Sequence, residues 1–175
     1  SAQPVEGSNV WGELAYQFGN YSLTATAVDR DRSAWALDLF GEYRIENPWK
    51  PMVGLEYVYL SGEEVTASST EGWGMWRGDF RLPVYGWIHD YLELYYETGL
   101  AGDYASGQNQ QHISLYGSMI PMEDVKLSAN YFYFKTVAPV HSSGLAGSSS
   151  FSEDIGHELD TALTYTYSED VTFTF

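Results

Sequence analysis

Hydrophobic and polar residues alternate with period two along most of the chain, and helical spacing is nearly absent. From Val10 to Phe18 the apolar set is Val10, Gly12, Leu14, Tyr16 and Phe18, interleaved with Trp11, Glu13, Ala15 and Gln17. Gly19-Asn20 reads as a turn, Tyr21 to Ala27 alternates again, and Asp29 to Arg32 reads as a polar connection. Trp35, Leu37, Leu39, Gly41 and Tyr43 then face away from Ala36, Asp38, Phe40, Glu42 and Arg44, until Asn47 to Pro51 ends the run. Further alternating segments cover Val53 to Tyr59, Tyr91 to Glu97, His112 to Met119, Val125 to Lys135, His157 to Tyr167 and Val171 to Phe175. Pro121 to Asp124 and Ser168 to Asp170 read as tight turns.

The pattern predicts an all-β, antiparallel protein with about nine strands visible. Two stretches interrupt it. Residues 61–90 and 136–155 read as long loops, of a length that usually accompanies a function. Short turns alternating with longer connections, and strands of about 9–11 residues, are the signature of a transmembrane β-barrel. Strand-end aromatics such as Tyr16, Phe18, Trp35, Tyr43, Tyr57, Tyr59, Tyr131, Tyr133, Tyr165 and Tyr167 fit interfacial girdles. A water-soluble barrel or sandwich with the apolar set turned inward alternates in the same way. It accounts less well for those tyrosines and for the scarcity of Lys and Arg. The membrane barrel is therefore the expected fold, and the bacterial outer membrane the expected location, with lipid as a partner.

Charge and composition narrow the function. The 175 residues carry 8 Lys and Arg against 24 Asp and Glu, a formal charge of -16. Nucleic acid is excluded as a partner, because phosphate contacts need clustered bases. There is no cysteine, hence no disulfide framework or thiolate chemistry. With 15 Tyr, 8 Phe and 6 Trp the chain has too much aromatic surface for a solvated acidic tail. No apolar run approaches the ~20 residues of a spanning helix.

Within a barrel, the residues opposite the apolar face would line the lumen. These are Glu13, Asp38, Glu42, Arg44, Glu56, Glu93, Glu97, Lys126, Glu158 and Asp160, in which acids far outnumber bases. Trp73, Trp76, Arg77, Asp79 and Arg81 fall in the first long loop, either folded inward as a constriction or packed over the rim. Asp29 and Asp31 lack the glycine and distal Glu of a calcium loop, and the four His are scattered, so no metal site or other cofactor is expected. No nucleophile elbow, phosphate loop or dinucleotide fingerprint is present, and the expectation is a protein that is not an enzyme.

Three stretches carry a resemblance to a known family. They are Asp29 to Ala36 with its strand ending near Trp49-Lys50-Pro51, the aromatic and glycine-rich Gly72 to Gly86 before Ile88-His89-Asp90, and Asp154 to Asp160 followed by a Thr/Tyr strand. The chain resembles the carboxyl half of the alginate-export family of outer-membrane porins. The resemblance implies a single, incomplete barrel domain over residues 1–175, part of a barrel of about 16 to 18 strands. An exporter of a polyanion is expected to line its constriction with Arg and Lys. The acidic set here departs from that. The expected function is thus a porin for small hydrophilic solutes or ions, cation-preferring or weakly selective. The alternatives are a non-conducting structural or ligand-binding barrel and an exporter of alginate or another anionic polysaccharide.

Overall fold

The computed structural model describes residues 1–23, 28–62, 109–138 and 153–175. They form one antiparallel sheet of seven strands: β1 (Ser8–Leu23), β2 (Val28–Arg44), β3 (Met52–Leu60), β4 (Gln110–Met122), β5 (Val125–Thr136), β6 (Asp154–Ser168) and β7 (Val171–Thr174). Their spatial order is their chain order. Alternation of β-branched and aromatic residues with polar ones favours such a pleated surface, and adjacent strands joined in sequence pair most simply as antiparallel neighbours.

This sheet corrects the expected transmembrane β-barrel, of which the chain is expected to form an incomplete part. Among the described residues β1 and β7 do not pair, and the sheet stays open. The physical reason is that period two sets which face a side chain takes and says nothing about closure. Closure depends on a matched strand tilt and stagger, which side-chain alternation does not encode. The strand count is corrected as well. Gly19-Asn20 is not a turn but continues β1, with Gly19 opposite Arg32 and Asn20 opposite Asp31. Gly19 holds φ at +124°, a backbone state open to glycine, and so passes the strand through a place where a turn was expected. Asp29 to Arg32 is correspondingly part of the β2 ladder rather than a connection. The expected strand Tyr91 to Glu97 lies outside the described residues.

Several turns follow from local chemistry. Between β2 and β3 the Asn47 side chain accepts from the Trp49 amide at 3.0 Å, and the Lys50 amide donates to the Asn47 carbonyl at 2.8 Å. Lys50 takes the left-handed φ of 45° there. Glu123-Asp124 joins β4 to β5 and Glu169-Asp170 joins β6 to β7. Although β3 and β4 are far apart in sequence, they pair from Met52↔Ser118 to Leu60↔Gln110. A polar clasp fixes the base of that connection: the Asn109 amide donates to the Ser61 carbonyl, and the Asn109 side chain exchanges hydrogen bonds with the backbone of Ala138.

The two faces of the sheet differ sharply. Leu14, Leu39, Leu55, Leu115 and Leu159 share one face and are exposed, Leu159 to 68%. The buried side chains Ala34, Val58, Leu60, His112, Ser114, Phe132, Phe134 and Thr136 lie on the other, which also carries the acids. The core thus sits on the mixed polar face, at the end of the strands near the Ser61–Asn109 clasp. Phe132 stacks on Phe134 at 5.6 Å, and the ring of His112 lies 5.3 Å from Phe134. No helix among the described residues is long and apolar enough to cross a membrane.

Candidate functional site: the polar sheet face

The register brings together the described members of the expected lumen set. Glu13 lies opposite Asp38 across β1 and β2. Glu42 lies opposite Gly54, Arg44 opposite Met52, and Glu56 opposite Phe40 on one side and Ser114 on the other. At the far side of the sheet, Lys126 lies opposite Thr164, Glu158 opposite Phe132, and Asp160 opposite Asn130. Because paired residues in an antiparallel ladder point to the same side, all of these occupy one face. Glu93, Glu97, Trp73, Trp76, Arg77, Asp79 and Arg81 lie outside the described residues.

The centre of this face is aromatic. Trp11 stacks on Phe40 with centroids 5.8 Å apart, and Phe40 stacks on Tyr116 at 5.7 Å with an interplanar angle of 17°. These rings come from β1, β2 and β4, so the row must cross β3 without a ring of its own. Gly54 makes that possible. Its missing side chain leaves the space that the Tyr116 ring fills on its way to β2. The Tyr116 hydroxyl donates to Glu42 at 3.4 Å, and Arg44 stands 3.6 Å from the other oxygen of that carboxylate. Burial, the Glu42 charge and this hydrogen bond push the Tyr116 hydroxyl up to about 12.

Carboxylates flank the row. Burial raises Asp38 above the ordinary carboxylate range, and the neighbouring Glu13 charge adds to the effect. Glu56 is raised by burial and by Asp38, against a hydrogen bond from the Ser114 hydroxyl at 3.2 Å that favours its charged form. Asp160 is raised by burial first, then by the charge of Glu158 and a side-chain hydrogen bond with it. No group of His, Asp and Glu among the described residues is arranged to hold a metal ion.

On the opposite face a second polar cluster interrupts the apolar surface. The Tyr131 hydroxyl is 2.7 Å from Nδ1 of His157, whose ring stacks on Tyr133 at 4.5 Å. The Tyr133 hydroxyl donates to Asp154, and that bond is the first cause of its raised pKa. Lys135 lies 4.0 Å from both Glu153 and Asp154.

Sequence reasoning picked out the acids of the polar face but not the aromatic row between them. Phe40 stands out as a ring among polar neighbours, whereas Trp11 and Tyr116 join it only through the pairing of distant strands. The one local signal was Gly54, a glycine in mid-strand, which marks close approach by another group.

The open sheet also corrects the expected function. Among the described residues it encloses no lumen, so the porin expected from alternation, with small solutes diffusing down an acidic channel, loses its structural basis. The transmembrane and outer-membrane assignments rested on the same closed barrel and are withdrawn with it. The sequence profile of a family described as alginate export matches residues 1–175. No curated protein matches the chain.

Proposed function

The chain belongs to the alginate-export family, and we propose that it serves polysaccharide export as a ligand-binding sheet, not as a conduit. The polar face binds the sugar chain. The observation that carries this reading is the aromatic row Trp11–Phe40–Tyr116. Aromatic rings offer an apolar surface to the C–H faces of pyranose rings at little conformational cost, while polar groups beside them receive the hydroxyls. Glu42 and Glu56 stand beside the row in that role, as acceptors for sugar hydroxyls, with Glu56 held by the buried Ser114 hydroxyl. Arg44 is the basic side chain nearest Glu42, with 71% of it exposed, and it offers a uronate carboxylate a partner. The reading contains no bond-making step and no catalytic residue.

The test is titration calorimetry of the full chain with neutral and with uronate oligosaccharides. Saturable binding is expected, and Trp11→Ala is expected to weaken it about tenfold, the size of one lost stacking contact. Binding that is absent with both sugars at millimolar concentration overturns the reading. So does binding that Trp11→Ala and Phe40→Ala leave unchanged. Either result leaves the rings as packing between strands and the sheet as a structural module.

A further inference from the structure

Glu13 and Asp38 are directly opposed on neighbouring strands, and Glu56 is the diagonal neighbour of Asp38 on the next strand. Like charges directly opposed in a ladder are destabilising, and here they cross two successive strand pairs. What faces Asp38 offers little compensation. From β1 it meets Glu13, between Trp11 and Ala15, and from β3 it meets Val58, between Glu56 and Leu60. Oxygen Oδ1 of Asp38 is shielded from solvent and has no hydrogen-bond partner among the described residues. Glu56 meets Phe40 from β2, between Asp38 and Glu42, and Ser114 from β4, between His112 and Tyr116. Arg44 is engaged with Glu42, and no other Lys or Arg is paired with this group among the described residues.

We propose that Glu13, Asp38 and Glu56 form a proton-sensitive seam across β1, β2 and β3, which tightens the sheet in mild acid and loosens it at neutral pH. When a proton occupies Asp38, the opposed charges of Glu13 and Glu56 lose their common neighbour, and the protonated carboxyl gains a donor. The seam does not depend on the sugar-binding reading, because it acts on the pairing of the strands themselves. The sign follows from linkage. Asp38 and Glu56 both hold their protons more tightly in the sheet than in the unfolded chain. Their contribution is complete below the unfolded values of 3.8 and 4.5 and is lost as pH rises through the higher folded values.

The experiment is thermal unfolding of the full chain at about pH 4.5 and about pH 7.5, without ligand, for the native sequence, Asp38→Asn and Glu169→Gln. Glu169→Gln removes the same charge from the β6–β7 turn, away from the seam. The native chain is expected to lose Tm on going to the higher pH. Asp38→Asn is expected to raise Tm at the higher pH by about 3 °C and to flatten the pH dependence, while Glu169→Gln keeps the native slope. Glu13→Gln, at an exposed position, gives the same comparison should Asp38→Asn fail to fold. A native slope in both Asp38→Asn and Glu13→Gln, or equal flattening by Glu169→Gln, overturns the seam. The sugar titration stands or falls separately, since no sugar is present here.

Discussion

An added methyl group at Gly54 would stand 2.0 Å from Cζ of Tyr116. The Tyr116 ring cannot simply swing aside, because it is stacked on Phe40 and its hydroxyl is tied to Glu42. Gly54→Ala is therefore expected to destabilise the sheet by about 1–3 kcal/mol, the usual cost of overpacking, as read from the urea midpoint. It should also weaken sugar binding by displacing the ring. Tyr116→Phe isolates the hydroxyl. It leaves the stack in place and frees Glu42 to interact with Arg44 alone, so binding through the ring face should persist while stability falls by about 1 kcal/mol. Asp160 offers a residue-scale parallel to the seam: burial and its bond with Glu158 raise it. Asp160→Asn should reduce the loss of stability between mild acid and neutral pH, measured by the same melting curves.

At the scale of the strand, much was legible and some of it misleading. The strands around Trp35 to Arg44, Val53 to Tyr59 and Val125 to Lys135 alternate so cleanly that both faces can be read residue by residue. The turns announce themselves through Pro, Asn and adjacent acids, although of the expected Pro121 to Asp124 and Ser168 to Asp170 only Glu123-Asp124 and Glu169-Asp170 leave the ladder, Pro121, Met122 and Ser168 staying in strands. The segment from Gly19 to Arg32 misleads because turn chemistry and strand chemistry coincide there. Gly and Asn favour a turn, but each can also sit in a long hairpin arm when the facing strand supplies a ladder, as Asp31 and Arg32 do. The acids of the candidate site were legible because a charged residue in an alternating strand declares its face. The aromatic row was not, because Tyr116 reaches Phe40 across a third strand, and no spacing within one segment encodes that contact.

For the molecule as a whole, the open sheet carries an apolar face rich in exposed leucine and aromatic side chains. Contiguous apolar surface and unpaired strand edges both favour association in water. The full chain without a covering partner is expected to self-associate with rising concentration, as followed by sedimentation velocity. Leu14→Lys and Leu159→Lys, each a charge placed on that face, are expected to shift the distribution toward the single chain. Membership of the alginate-export family gives this sheet its biological setting, and the separation of its two faces divides the possible tasks: stacking and proton uptake on one side, association on the other.

The short contact between Ala2 and Val10 has its own consequence. The Ala2 amide donates to the Val10 carbonyl at 2.7 Å, and the Val10 amide donates back at 2.9 Å. Val10 therefore directs its backbone groups away from β2, and by the period of the ladder so do Gly12, Leu14, Tyr16 and Phe18. Deuterium uptake along this strand should accordingly be a comb. Glu13, Ala15 and Gln17, turned toward β2, should retain their protons longest. Gly12, Leu14, Tyr16 and Phe18, whose amides meet no other strand among the described residues, should label faster, while Val10, held by Ala2, and Ser8, whose amide donates to the Val5 carbonyl, should be the slow teeth on that side.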